Sequence, residues 1–296
     1  MTKSQLILEF ALCLGFGFWV LGFEAGSAQA PLPVPGAFYD RIRENMARAE
    51  EANHLYSYRE RRTDIHTNPF GRLGTGGTSV FEVYPSPVRS LTYRRLVARD
   101  GVPVAARELA EQDRAYRERA AGAKGRTEEE SERARQRRRR AIEDVINALD
   151  FRIDRRETHD GMSAIVMVFK PRMAATPATR QGRIAQKFAG TVWVDEAAAE
   201  VMELQAKSVD DISLGYGIVA RLGEGTTATL TRRPIGDGLW MPTRLTLSGR
   251  GRAAFFIRRF DLDHVIEWFD YRRLPVASLT PFLDPRVHGQ PGARPQ

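Results

Sequence analysis

Thiols are almost absent: the only cysteine in 296 residues is Cys13. It sits within an apolar run near the N-terminus, so the rest of the chain offers no disulfide, no thiolate metal site and no cysteine nucleophile. Stability there has to come from an ordinary apolar core. Long hydrophobic runs are missing after the first thirty residues, and none approaches the ~20 residues of a membrane-crossing helix. Histidine is scattered, at positions 54, 66, 159, 264 and 288, with no H-x-H or H-E-x-x-H spacing. The densest cluster, Asp261-Leu262-Asp263-His264, would put both carboxylates on one face of a strand and the imidazole on the other. No metal site is expected.

Motifs for covalent chemistry are lacking as well. There is no G-x-S-x-G elbow. The glycine-rich stretch Gly71–Gly77 has neither the lysine nor the helix start that phosphate loops use, and it reads as a hairpin loop. Adjacent carboxylates, Asp210-Asp211 and Glu128-Glu129-Glu130, fall in turn or exposed-helix contexts, where they do not amount to an acid–base pair. No catalytic residue and no cofactor is expected; an enzyme would have to assemble its site from residues far apart in sequence.

What the chain has in excess is positive charge. Lys+Arg number 45 against 37 Asp+Glu, a net +8 carried mostly by arginine. Arginine-rich codon usage alone gives such an excess, and in the cytosol it would suggest nucleic acid. The N-terminus points elsewhere. Lys3 precedes an apolar run from Leu6 to Phe23 that only Glu9 interrupts, and Gly26-Ser27-Ala28-Gln29-Ala30 follows with small residues. This is the layout of an export signal over residues 1–30, cleaved after Ala28 or Ala30; cleavage at Ala30 would leave Pro31 first, which the peptidase disfavours. A retained anchor is the alternative. Cys13 follows Leu12 in mid-run rather than closing it, so no acylated N-terminus is expected. A periplasmic protein follows, with anionic lipid surfaces or acidic envelope proteins as partners instead of nucleic acid.

Pro31, Pro33 and Pro35 make residues 31–36 a stiff linker. From Ala37 to about Asn53, Phe38, Ile42, Met46 and Ala49 form one apolar stripe at helical spacing. Strands are expected at 55–66, 78–84 and 88–98, closed by the turn pair Asp100-Gly101. Residues 103–149 then read as an insertion of two helices split by Gly122 and Gly125. Ile142, Val145, Ile146 and Leu149 form its buried stripe, and Arg133–Arg140 should project into solvent. Further strands are expected at 150–157, 161–170, 188–195, 200–209, 216–222, 226–233, 240–249, 253–261 and 264–273. Glycine-containing turns at 159–161, 223–225, 236–238 and 249–251 separate several of these. Residues 275–296 read as a loose tail. The element order excludes a doubly wound fold. It predicts a single α+β, mainly β domain over 37–274: a strongly curved antiparallel half-barrel with the N-terminal helix and the inserted helices on its concave side. Unbroken apolar runs such as Ile165–Phe169 require cover on both faces of the central sheet.

Gly190-Thr-Val-Trp-Val-Asp195 followed by Val201-Met-Glu-Leu204 resembles the G-x-(I/L/V)-W-(I/V)-D strand and hairpin partner of the lipoprotein-sorting family, the LolA/LolB-like periplasmic half-barrels. Gly238-Leu-Trp-Met-Pro242 and Trp268-Phe-Asp-Tyr-Arg-Arg273 are similar to later strands of its larger members. By element order the resemblance spans roughly 37–274, and the 103–149 insertion departs from the compact carriers. Membership implies a monomer with a cleft between sheet and helices for lipid or lipoprotein acyl chains. The bulky residues of the late strands, Trp193, Met202, Leu204, Trp240, Phe255, Ile257 and Trp268, are the candidate apolar lining, against the plainer reading that they are core. Arg137, Arg138, Arg139 and Arg140 are the candidate contacts to an anionic surface. Two functions stay open: a non-catalytic binding protein for a lipidic or apolar group, and an envelope interaction or sensor module that uses the basic insertion.

Overall fold

The computed structural model describes residues 31–67, 75–122, 127–214, 220–253, 258–275 and 278–288. Helix α1 (Pro35–Ala52) starts on a proline whose missing N–H is no loss at that position. It leads through a short 3-10 turn into a meander of β1 (Tyr56–Thr67), β2 (Thr75–Tyr84), β3 (Tyr93–Arg99) and β4 (Val102–Pro103). The insertion supplies α2 (Ala106–Ala121) and α3 (Thr127–Asn147). Then come β5 (Leu149–His159), β6 (Met162–Pro171), a short α4 (Arg180–Ala185), β7 (Phe188–Asp195) and β8 (Val201–Ser208). The chain ends with β9 (Ile212–Leu214), β10 (Ala220–Leu222), β11 (Thr227–Gly236), β12 (Leu239–Ala253), β13 (Arg258–Arg273) and α5 (Pro285–His288).

All pairings are antiparallel, in the order β4-β3-β2-β1-β13-β12-β11-β8-β7-β6-β5, with β9 and β10 attached at the far end of β12. The sheet curves and does not close. Three of its hairpins turn on Asp-Gly pairs with positive φ at both residues: Asp100-Gly101, Asp160-Gly161 and Asp237-Gly238. Such turns match the twist of the strands they join. The expected turn at Gly249–Gly251 is instead straight strand inside β12. A Cβ on Gly251 would lie 2.7 Å from the Arg221 carbonyl oxygen and against the Phe260 ring, so glycine lets strands approach there. Likewise 258–273 is one strand rather than two, and 223–225 kinks a line of strand (β10, β11) that runs along β12 on both sides of it.

Cross-strand partners share a face, so the ladder registers assign every side chain. The inner face of β5–β8 packs Ile165, Met167, Phe169, Val192, Val194 and Val201 against Phe38 and Ile42 of α1. Polar contacts then fix where α1 sits. Arg41 donates to the Ala197 carbonyl at 2.6 Å, and Asn45 to those of Ala198 and Ala199 at 2.8 and 3.0 Å. The outer face holds a second cluster, Ala164, Met202 and Trp240 with Met162 and Trp193. Both faces of β6 are therefore covered, as its unbroken apolar run requires.

The two insertion helices divide between the faces. Helix α2 lies on the outer side of β3, where Tyr116 stacks on Tyr93 at 4.3 Å and Asp113 accepts from Tyr93 at 2.7 Å and Arg95 at 2.9 Å. Its Gln112 side chain pairs with both backbone groups of Leu96, capping an edge strand as another strand would. Phe282 is buried in the same aromatic cluster. The segment expected to be a loose tail is thus docked as far as that residue, and 289–296 lie outside the described residues. Helix α3 lies on the inner side and leads into β5 at the opposite edge.

Two buried carboxylates anchor this framework, Glu60 and Glu200, each 1% exposed. Glu200 meets Arg232 of β11 at 3.2 Å and Arg48 of α1 at 3.5 Å. Burial raises the Glu200 pKa and lowers that of Arg232, the cost of desolvating the pair. Arg232→Met should therefore cost about 3–5 kcal/mol by stranding the carboxylate. Combining it with Glu200→Gln should recover much of that loss in urea unfolding. A double variant no more stable than the single one would refute the pairing.

Candidate functional site

Helix α3 does not seal against the sheet everywhere. Between it and the inner face of β1–β3 lies an open hollow of about 420 Å³, within the usual size range of small-ligand sites. One wall is the end of α1 with Glu50, Asn53 and His54; the floor is Tyr58 of β1 and Arg94 of β3. The β2–β3 connection adds Pro85, Ser86, Arg89 and Thr92, and the roof is Ala134, Arg137, Arg138 and Ala141 of α3.

The connection is stiffened locally. The Ser86 N–H donates to Thr92 Oγ1 at 3.1 Å and the Val88 N–H to Ser86 Oγ at 3.2 Å. Arg138 pins the roof to this wall by donating to the Pro87 carbonyl at 3.1 Å and pairing with Glu50 at 3.3 Å. Arg139 pairs with Glu51 beside it. At the far end of α3, Asp144 accepts from the Thr179 N–H at 2.7 Å and so holds the start of α4. Gly182 permits this approach, since a Cβ there would collide with the Asp144 carboxylate.

The electrostatics are one-sided. Arg94 pairs with Glu60 at 3.5 Å, behind the floor, while Arg89 and Arg137 have no ion-pair partner among the described residues. Burial raises the Glu50 pKa despite Arg138. Burial lowers that of His54, with Arg138 and Arg135 lowering it further, so its imidazole is neutral near pH 7. Burial pushes the Tyr58 hydroxyl up to about 12, keeping it a donor. The hollow is thus rich in hydrogen-bond donors and excess positive charge.

The expected apolar lining is not gathered in one place. Trp193, Met202 and Trp240 pack together on the outer face, where Trp193 stacks on His159 at 5.0 Å and donates to Glu157 at 2.6 Å. Leu204 and Trp268 are on the inner face; Leu204 packs under α1, and Trp268 donates to Glu60 at 3.0 Å. The division follows from alternation and from a register shift after Trp193, which turns Met202 away from Leu204's face. Phe255 and Ile257 lie outside the described residues. Of the arginines expected to project freely, Arg137 and Arg138 overhang the hollow, Arg139 is tied to α1, and Arg140 is exposed. Glu50, His54, Arg89 and Arg94 escaped sequence reasoning because they belong to separate elements with no common motif. Asp263 and His264 do not converge: Asp263 pairs with His66 at 2.9 Å and His264 with Asp64. No group of three or more potential metal ligands gathers among the described residues.

No protein-family model and no curated protein matches the chain. Among solved structures, a LolA superfamily protein from Nitrosomonas europaea matches at 11% identity over 78% of this chain and 94% of its own, with a TM-score of 0.27. A DUF1329 family protein from Desulfovibrio piger matches at 12% identity over 85% and 98%, TM-score 0.29. A chain of the MucA/MucB complex of Pseudomonas aeruginosa matches at 10% identity over 78% and 92%, TM-score 0.22. The first bears the family name that the strand motifs resemble; at these TM-scores the fold of this chain rests on its own strand order.

The lowered His54 pKa sets a sign. Unfolding lets His54 take up a proton near its ordinary value of 6.5, so its contribution to stability is lost as pH falls through that value. Glu50, raised above 4.5, works in the opposite direction. Melting midpoints between about pH 7.5 and 5.5 should therefore fall further for the unaltered chain than for His54→Gln. Parallel curves would refute the assignment.

Proposed function

We propose that this chain is an exported binding module of the cell envelope that performs no covalent chemistry and receives its ligand in the hollow beneath α3. One observation carries the reading: α1 packs densely on the inner face of β5–β8, whereas α3 leaves about 420 Å³ open above β1–β3. A roof spaced off its floor is what a non-covalent site needs, and ligand pockets are commonly found between elements of this kind. The export layout of residues 1–30 supports placing the module in the periplasm.

The position of the hollow also narrows its guest. Trp193, Met202 and Trp240, which would have lined an apolar cleft, form a cluster on the other face, so a purely apolar guest loses the lining expected for it. A lipidic guest would enter with its polar end among the arginines and any chain directed outwards. A second reading, capture of an acidic envelope protein, is favoured by the exposed Arg137 and Arg140 on the roof helix.

Plugging the hollow tests the proposal. Ala134→Trp and Ala141→Phe on α3 should fill it with little change in the rest of the fold. Protein purified without detergent should carry a stoichiometric guest in native mass spectrometry, and the plugged variants should lose it. A clean unliganded mass at several concentrations, or a guest retained after plugging, would overturn the reading.

A further inference from the structure

We infer that the hollow beneath α3 is a receptor for a phosphate-type oxyanion, held between Arg89 on the β2–β3 connection and Arg137 on the roof, with Arg94 behind it. This rests on the binding role proposed for the same hollow and specifies its guest. Four guanidinium groups converge there from three parts of the chain: Arg89, Arg94, Arg137 and Arg138. Arg89, Arg94 and Arg137 are exposed where they border the hollow, and like charges brought together around a concave space repel unless something compensates them. Arg138 is compensated by Glu50 at 3.3 Å, and Arg94 by the buried Glu60 at 3.5 Å. Arg89 and Arg137 have no carboxylate partner among the described residues. Nor is Glu50 free to serve them, since it is engaged with Arg138.

The residual charge faces a concave space, and the guanidinium fork suits oxyanions because its paired N–H groups can bind two oxygens at once. Neutral donors complete the shell. The Thr92 hydroxyl accepts from the Ser86 N–H, which leaves its own proton to give. The Tyr58 hydroxyl of the floor stays protonated, and the Asn53 amide belongs to the wall at the end of α1. Cations from the β2–β3 connection and from the roof, with neutral donors among the other lining groups, match a tetrahedral group with several acceptor oxygens. The group could come from a lipid headgroup or from a small phosphorylated solute.

Calorimetry on the mature chain separates the outcomes, with inorganic phosphate and phenyl phosphate as probes, phenol as the neutral analogue, and phosphatidylcholine vesicles with and without phosphatidate. Both phosphates should bind while phenol does not, and salt should weaken them. Arg89→Gln and Arg137→Gln should each cost about tenfold or more in affinity. Arg140→Gln, on the exposed side of the roof, should cost nothing. Phosphate should also raise the His54 pKa seen by NMR while raising the melting midpoint, a combination that damage to the fold would not produce, since unfolding raises that pKa as stability falls. Capture by phosphatidate vesicles without a response to small phosphates would support the inference and identify the headgroup as the source. Equal binding of phenol, or equal losses from the Arg140 and Arg137 variants, would overturn it. A guest that the plugged variants lose, combined with no affinity for any phosphate, would overturn this inference and leave the binding role standing.

Discussion

An antiparallel sheet that curves without closing has two free edges, and this chain has to travel from one to the other. The meander β1–β4 ends at one edge and β5 is the other edge, so the intervening residues must cross a face. Helix α2 first secures the edge it starts from through Gln112 and the Tyr93–Tyr116 stack. Helix α3, 21 residues long and so about 30 Å, then makes the crossing on the inner side. The hollow exists because α3 must bridge a concave surface in a nearly straight line. Its position follows from the strand order, and only its lining is left to the side chains.

The inner face is accordingly of two kinds. Beneath α1 it is apolar and filled, a core in the ordinary sense. Beneath α3 it turns polar, because the inner-face positions of β1 and its neighbours carry Tyr58, Glu60, Arg62 and Arg94. Glu60 makes that polarity tolerable by accepting from Arg62 at 2.6 Å and from Trp268 at 3.0 Å, in addition to its pairing with Arg94. A buried carboxylate so fully partnered avoids most of the penalty of burial. It also holds the Arg94 side chain against the floor of the hollow.

Much of the architecture could be read from local chemistry. Asp-Gly pairs marked three hairpin turns, and the apolar stripe Phe38, Ile42, Met46, Ala49 marked α1 with the face it buries. Reading failed where a residue's role is set by a neighbour distant in sequence. Gly249 and Gly251 looked like a turn, but they are glycines because Thr226 and Phe260 crowd them. Gly190 in the Gly190–Asp195 motif has a similar origin, since a Cβ there would strike the backbone of β8. The bulky late-strand residues were legible as buried, but the register shift after Trp193 decides which face each occupies, and no local pattern announces it. The basic run 133–140 looked solvated because it has no apolar stripe. It is enclosed in part because the chain path places it over a carboxylate-bearing wall.

The attachment of α3 differs in kind from that of α1, and this bears on how a hollow beneath it could be entered. Helix α1 is fixed by buried aromatic and aliphatic side chains as well as polar contacts to the β7–β8 turn. Helix α3 presents only half-buried residues at Ile142, Val145 and Ile146, and along its basic half it is held by ion pairs with Glu50 and Glu51. Partly exposed pairs of this type are worth about 1 kcal/mol or less each and weaken with salt. The roof is therefore the less firmly held of the two covers, and segments of this sort open at lower free energy than a packed core. An anion bridging Arg137 to Arg89 would add a second tie between the roof and the β2–β3 connection, beside that of Arg138 to the Pro87 carbonyl. Occupancy and closure of the hollow would then be linked by mass action, without any change in the core beneath α1.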